Sequence, residues 1–306
     1  MTETTRNHGI LVGVDGSPAS RVAVGWAARE AALHAVPLAL VHVEPDDLLM
    51  GLEFGAEDGY GPEFSPYAAE IMADASRVVA ETAADAQIEM QHVVLHGHVT
   101  AALVDVSTNA DLIVAGSRGL NRIGRMLLGS VTSGLLRHAR CPLAVIHDED
   151  PLMSRPDQAP VVVGIDGSPA SDIAAAIAFD EASLRGVDVV AVYAWHDQLV
   201  APVPNETWMN VQPEAERLLA ERLAVWREQY PDVQVNRVVV RDRPARQLLA
   251  QSENAQLCVV GSHGRGGFPG MLVGSVSAAV AQSARMPVIV ARQSGTSAAP
   301  HAGSSR

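Results

Sequence analysis

The sequence predicts an α/β fold made of two tandem, doubly wound, Rossmann-like domains. Short apolar runs alternate with helix-like segments through most of the 306 residues. The six residues that begin at Asp15 recur unchanged from Asp166, 151 positions later. Short, continuously apolar strands separated by helices are typical of a parallel sheet that is covered on both faces. We therefore expect each copy to form a five-stranded parallel sheet with helices on both sides.

Local signals place the elements of each copy. The apolar run Ile10–Val14 predicts a first strand, and Ser17 followed by Pro18 favours the start of a helix that reaches about Ala35. The other elements expected in the first copy cover residues 38–43, 66–85, 91–95, 100–108, 111–115, 130–139 and 143–147. The strands expected in the second copy cover residues 161–165, 189–194, 234–240, 256–260 and 288–291.

A second repeated block fixes the domain organisation. Ala110–Gly119 aligns with Ala255–Gly264 at an offset of 145, so the first copy carries extra residues in its middle. Three prolines and no apolar periodicity mark the segment between the copies as a linker. We expect a first domain at 8–149, a linker at 150–159, a second domain at 160–292 and a flexible tail at 293–306.

Composition excludes several classes of function. All 22 basic residues are arginine, and the net charge is −13. Without lysine there is no P-loop lysine, no protein-kinase strand lysine and no Schiff-base lysine. An acidic, lysine-free surface also disfavours nucleic-acid binding. No basic leader and no uncharged apolar run of about 18 residues is present, so we expect no membrane partner and a cytoplasmic location. Cys141 and Cys258 lie in apolar stretches and are expected to be buried, reduced thiols.

Glycines at the ends of predicted strands indicate an anion-binding loop in each copy. Gly116 and Gly119 follow a strand, and after nine further residues Gly129 and Ser130 open the next helix. The second copy repeats this spacing at Gly261, Gly264 and Gly274. Glycine lets the backbone point N–H groups at an anion, and a helix N-terminus adds partial positive charge. The alternative is a tight glycine turn with solvated arginines.

Arginine replaces lysine as the cation of these loops. Arg118, Arg122 and Arg125 lie inside the first loop, whereas Arg265 is the single arginine of the second. A guanidinium group binds phosphate in a bidentate way, so the replacement is chemically reasonable.

The pattern G-x2-G-x9-G-[ST] after a strand, with Asp at the end of the first strand, resembles the ATP-binding branch of the universal stress protein family. Two complete copies, from about Gly9 to Arg292, resemble its tandem actinobacterial type. The resemblance implies that Asp15 and Asp166 reach toward ATP, through the ribose or a phosphate-bound Mg²⁺. It also implies that Val43 and Ala194 offer backbone groups to the adenine.

The resemblance and the loops together give two sets of expected nucleotide-binding residues. Those of the first site are Gly13, Asp15, Val43, Gly116, Ser117, Arg118, Gly119, Leu120, Asn121, Arg122, Gly129, Ser130 and Val131. Those of the second site are Gly164, Asp166, Ala194, Asp197, Gly261, Ser262, His263, Gly264, Arg265, Gly266, Gly267, Gly274, Ser275, Val276 and Ser277.

The expected function is that of an ATP-binding regulatory protein of the stress response, acting through nucleotide-dependent conformation or dimerisation. The resemblance implies a homodimer and pairing through the last strand of each domain, at 143–147 and 288–291, within the chain, between chains or both. A regulatory protein partner is also expected. Two alternatives stay open. One is a slow ATPase in which Asp15 or Asp166 holds Mg²⁺, and the other is an interaction scaffold with vestigial sites.

Three weaker patterns add further hypotheses. Ser117 and Ser262 approximate a nucleophile elbow, but no helix follows directly and His263 is poorly placed to act as a base for its neighbour. His92, His96 and His98 lie around the end of a predicted strand, where His96 and His98 would share a face and suggest a metal pair, although surface or edge histidines explain them better. The acidic stretch 44–70 is read as a solvated loop, with a lid or a partner surface as the alternative. No catalytic set and no metal site are predicted.

Overall fold

The computed structural model describes residues 8–45, 65–119, 128–147, 156–195, 205–265 and 272–292. These residues contain ten strands, which all belong to one sheet. The strands are β1 (Ile10–Gly13), β2 (Leu38–Glu44), β3 (Met90–His96), β4 (Leu112–Gly116), β5 (Leu143–Ile146), β6 (Val161–Gly164), β7 (Val189–Trp195), β8 (Val235–Arg241), β9 (Leu257–Gly261) and β10 (Val288–Ala291).

Eight α-helices connect the strands in the described ranges. They are α1 (Pro18–His34), α2 (Pro66–Thr82), α3 (Val99–Val106), α4 (Ser130–His138), α5 (Pro169–Arg185), α6 (Asn205–Gln229), α7 (Pro244–Ser252) and α8 (Ser275–Ser283). Helix α1 begins where the sequence predicts, because the hydroxyl of Ser17 accepts a hydrogen bond from the N–H of Ser20 at 3.1 Å. Among the described residues, no helix is both long and apolar enough to cross a membrane.

The strand order is β3-β2-β1-β4-β5-β10-β9-β6-β7-β8. Because β6–β10 repeat β1–β5, equivalent strands follow in the same order from either edge of the sheet to its centre. Pairing is parallel within each half, as predicted, but β5 and β10 meet antiparallel in the centre. Ala144 pairs with Ile289, its counterpart in the repeat, so an approximate twofold axis passes between these two residues. The last strands of the two copies therefore pair with each other inside one chain.

An apolar core lies on each face of this sheet and runs through both halves. On one face, strand residues pack against Trp26 of α1 and Phe179 of α5. On the other face, the layer contains Leu103 of α3 and Leu135 of α4. The two cysteines are free and buried in the second layer, as expected from the sequence. The α/β class with two tandem doubly wound units is thus confirmed.

Candidate functional site

The first site begins at the aspartate that follows β1. The Asp15 carboxylate accepts a hydrogen bond from the N–H of Ser17 at 2.9 Å, and Ser17 in turn caps α1. Asp166 makes the same contact with the N–H of Ser168, also at 2.9 Å. Such turns fix an aspartate side chain against its own backbone. Each carboxylate is therefore held at the carboxyl ends of the strands, where open α/β sheets bind ligands.

The glycine loop of each copy closes over this carboxylate. A Cβ atom built on Gly119 would lie 2.8 Å from Oδ2 of Asp15, and one built on Gly264 would lie closer still to Oδ2 of Asp166. The N–H of Arg265 donates to the same Asp166 oxygen at 3.0 Å. Any side chain at these two glycines would displace the carboxylate, so the loop packs there as bare backbone.

The following helix starts beside the same loop. The N–H of Gly129 donates to the carbonyl of Ser117 at 2.8 Å, and the N–H of Gly274 donates to the carbonyl of Ser262 at 2.7 Å. Gly129 and Gly274 are the N-cap residues of α4 and α8 and provide no side-chain cap. A helix start without a side-chain cap leaves N–H donors and partial positive charge available for an anion. Carboxylate, glycine loop and helix N-terminus thus converge twice in the chain.

Other predicted glycines serve close packing. A Cβ atom on Gly116 would lie 2.9 Å from the carbonyl oxygen of Ala19, and one on Gly261 would lie 2.7 Å from that of Ala170. These glycines let a strand end approach the first turn of α1 or α5. A Cβ atom on Gly13 would meet the Leu103 side chain at 3.5 Å.

Ser277, one of the residues expected to bind nucleotide, makes a hydrogen bond to the protein backbone. Its Oγ donates to the carbonyl of Gly261 at 2.5 Å, as Thr132 Oγ1 does to Gly116 at 2.6 Å. Both hydroxyls therefore tie a helix to the preceding strand. Val43 and Ala194 lie one residue before the ends of β2 and β7.

Several predicted residues lie outside the described ranges. They are Leu120, Asn121, Arg122, Asp197, Gly266 and Gly267. Most of the acidic stretch 44–70, most of the predicted linker and the whole predicted tail also lie outside them.

The two loop serines have different surroundings. The Ser117 hydroxyl is buried and has no hydrogen-bond partner among the described residues. In the second copy, Nδ1 of His263 lies 3.1 Å from Oγ of Ser262. The imidazole is therefore within hydrogen-bond distance of its neighbour, while the expectation that it does not serve Ser262 as a base stays a prediction. Helices α4 and α8 begin at Ser130 and Ser275, well beyond the turn that a nucleophile elbow requires.

The histidines near β3 belong to the edge of the sheet. His92 and His96 are exposed on this edge strand. His92 Nε2 lies 2.8 Å from the Ser76 hydroxyl, and His96 Nδ1 lies 3.9 Å from Glu44. Within the described ranges, these histidines do not join any group of three potential metal ligands.

The sequence reasoning missed a buried ion cluster between α1 and α5, formed by Glu30, His34, Glu181 and Arg185. Burial, together with the nearby Glu181 carboxylate, raises the pKa of Glu30 to about 7. Hydrogen bonding from His34 lowers the pKa of Glu181, against the opposing effect of burial. One signal was available, because an offset of 151 places Glu30 on Glu181 within alanine-rich helices.

A doubly wound sheet with a glycine loop closing over an aspartate, present twice in one chain, defines a tandem α/β protein with two equivalent halves. The sequence profile of the universal stress protein family matches residues 7–147 and 159–292. The chain therefore belongs to the universal stress protein family.

Similar proteins support this assignment over nearly the whole chain. The universal stress protein Rv2623 of Mycobacterium tuberculosis is 51% identical over 295 residues, which cover 96% of this chain and 99% of the relative. The universal stress protein Rv2005c of the same species is 48% identical and is covered over 100% of its length, again with 96% of this chain. A universal stress protein from Archaeoglobus fulgidus has the same fold, with a TM-score of 0.67 and 21% identity over 94% of this chain and 99% of that one.

Proposed function

We propose that this chain is a regulatory protein that binds ATP, alone or with Mg²⁺, at one site in each domain. One observation carries the proposal. At both sites a glycine loop lies bare against a carboxylate, at Asp15 with Gly119 and at Asp166 with Gly264. A carboxylate beside backbone N–H donors suits a ligand that carries both hydroxyl groups and phosphates.

The donor chemistry fits this ligand without lysine. The N–H groups at the starts of α4 and α8 would bind phosphate oxygens, and the carboxylates would bind a ribose hydroxyl or Mg²⁺. The buried Ser117 hydroxyl, which lacks a partner in the described chain, is a further candidate donor. In the second domain, the Arg265 guanidinium lies over Gly167, the residue after Asp166, and would supply a cation.

Regulation would follow from a difference in affinity between two states of the protein. A ligand shifts a conformational equilibrium only when it binds one state more tightly than the other. In the first domain the loop starts at the end of β4, which pairs with the central β5. We propose that nucleotide binding is read out through this central pairing, by a protein partner or a second chain, in the cytoplasm.

Small-molecule release from the purified protein is the first test. The protein is denatured, and the supernatant is separated by ion-exchange chromatography. We expect adenine nucleotide near one or two per chain, or a thermal shift on adding ATP with Mg²⁺ to emptied protein. A chain that carries none and shows no shift would contradict the proposal.

Glycine variants locate the sites. Gly119→Val should abolish nucleotide binding in the first domain and Gly264→Val in the second, because each side chain would displace the aspartate that lies against the loop. Titration calorimetry should then find one site fewer per variant. Ala84→Val, which places the same valine side chain at an exposed position, should keep both sites. Unchanged stoichiometry in both glycine variants would refute the placement.

Phosphate release separates the two alternatives that the sequence leaves open. Steady release of phosphate from ATP that disappears in an Asp15→Ala, Asp166→Ala double variant would indicate the slow ATPase. Binding without release favours the regulatory protein. Absence of binding, with partner association intact, favours the scaffold.

A further inference from the structure

The ion cluster on the approximate twofold axis joins the two domains. Nη2 of Arg185 lies 2.5 Å from Oε1 of Glu30 and 2.9 Å from Oε2 of Glu181. On the other side of the carboxylates, Nε2 of His34 lies 3.0 Å from Oε1 of Glu181 and 3.8 Å from Oε2 of Glu30. Arg185 therefore occupies one oxygen of each carboxylate and leaves the other oxygen facing the imidazole.

One of these remaining oxygens is buried without a partner. Glu30 is 1% exposed, and its Oε2 has no hydrogen bond in the described chain. A buried carboxylate oxygen without a hydrogen-bond partner costs free energy, because it has lost its water and gained no hydrogen bond in exchange. Glu30, His34 and Glu181 each offer one ligand atom, and these three atoms lie within 4.8 Å of one another. Within the described ranges they form the one group of three potential metal ligands.

We propose that Glu30, His34 and Glu181 bind a divalent metal ion of the zinc class between the two domains. Zinc takes imidazole nitrogen and carboxylate oxygen at about 2.0–2.2 Å, so three ligand atoms at the observed separations need to move little to share one ion. An imidazole with two carboxylates is a borderline donor set that suits Zn²⁺ better than Mg²⁺ or Ca²⁺.

The surroundings of the ligands match those of metal sites. Oδ2 of Asp180 lies 4.0 Å from Nδ1 of His34, on the side of the ring that faces away from the ligands. This distance is too long for a hydrogen bond, so Asp180 would have to move closer to orient the imidazole in the way that carboxylates orient metal-binding histidines. Arg185 fixes both ligand carboxylates through hydrogen bonds. Three carboxylates, one guanidinium and one divalent ion, with a neutral imidazole, sum to zero charge.

The site would cross-link the two halves of the chain. Two ligands come from α1 in the first domain and the third comes from α5 in the second. A ligand that binds the folded state alone stabilises it in proportion to the logarithm of its free concentration. Metal binding is therefore expected to raise the unfolding temperature and to stiffen the arrangement of the domains, whether or not nucleotide binds.

Zinc titration of the full chain tests the proposal. Protein freed of metal with a chelator is titrated with Zn²⁺ in a calorimeter, and unfolding temperatures are measured with and without Zn²⁺. We expect one site per chain and a higher unfolding temperature with zinc. His34→Ala should weaken binding at least about 100-fold, since loss of a ligand should cost no less than loss of a group that orients one. His96→Ala, which removes an exposed histidine 3.9 Å from a carboxylate, should bind like wild type.

A second variant and a spectroscopic readout guard against misfolding. Glu30→Gln keeps the shape of the side chain but removes a charged ligand, and its fold is checked by circular dichroism. Co²⁺ in place of Zn²⁺ should give visible absorption bands that both variants lose. Absence of stoichiometric zinc binding in wild type would overturn the proposal. So would full affinity in folded His34→Ala or Glu30→Gln protein, or loss of binding in His96→Ala alone.

Discussion

Arg292, directly after β10, donates a hydrogen bond from Nη1 of its guanidinium to the carbonyl oxygen of Arg137 at 3.1 Å, across the boundary between the two domains. The guanidinium also donates a hydrogen bond to the carbonyl oxygen of Leu136, so one side chain binds two carbonyl groups of the last turn of α4. Carbonyl oxygens at a helix C-terminus lack partners within the helix and carry partial negative charge. Arg292 therefore caps a helix of the other domain.

Removing this cap should destabilise the first domain. We expect Arg292→Ala to lower the free energy of unfolding by about 1.5–3 kcal/mol, the usual range for hydrogen bonds that involve a charged group. Urea unfolding followed by circular dichroism measures the loss. Arg140→Ala, at an exposed position nearby, is the matched control and should change stability by no more than about 0.5 kcal/mol. Equal stability of the two variants would show that the interdomain cap contributes nothing.

The C-terminal caps of α1 and α5 offer a matched pair of substitutions. Ala35 is held in the left-handed region with φ of 53°, whereas its counterpart in the repeat, Gly186, has φ of 65° and open space around its Cβ position. We expect Ala35→Gly to stabilise the protein by about 0.5–1 kcal/mol and Gly186→Ala to destabilise it by a similar amount. Thermal unfolding of the two variants tests this, and a change of the same sign in both would contradict it.

The two cysteines should resist alkylation in the folded state. Burial raises the pKa of Cys141 to about 12 and that of Cys258 to about 11, from an ordinary value of 9.0. Only the thiolate reacts, so both thiols should be nearly inert to iodoacetamide at pH 8 and react fully after denaturation. Mass spectrometry of the labelled protein measures this. Rapid labelling of either cysteine in folded protein would show that it is not buried.

The same shifts set a dependence of stability on pH. A thiol whose pKa is higher in the folded state favours folding below pH 9 and loses that contribution as the pH rises toward 11 and 12. The free energy of unfolding should fall through this window. Cys141→Ala and Cys258→Ala should each show a shallower fall than wild type, whatever their stability at neutral pH.

Local patterns in the sequence predict most of the fold because the strands are short, apolar and separated by clear helix starts. The repeat from Asp15 and from Asp166 fixes two equivalent units, and the strand at 288–291 is found with the predicted bounds. The sequence does not determine the contact between β5 and β10, since the residues of neither strand indicate which sheet edge it pairs with. That pairing depends on the arrangement of whole domains.

For the candidate sites, too, local sequence patterns predict some contacts, whereas others depend on how the two domains pack. The approach of Gly119 to Asp15 follows from a glycine loop at one strand end and an aspartate at the next. The cluster around Glu30 could not be derived in this way, because its members come together only when α1 and α5 meet across the axis. A repeated glutamate on an alanine-rich helix is the sole trace that it leaves in the sequence.

When two copies are fused into one chain, residues related by the approximate twofold axis no longer have to be identical. Under the approximate twofold, the contact of Arg185 with Glu30 corresponds to that of His34 with Glu181, so an arginine on one side stands where a histidine stands on the other. Two identical subunits would carry the same residue at both places. Gene duplication followed by divergence can thus evolve a heterogeneous centre on a former symmetry element, a position where homo-oligomers must repeat themselves.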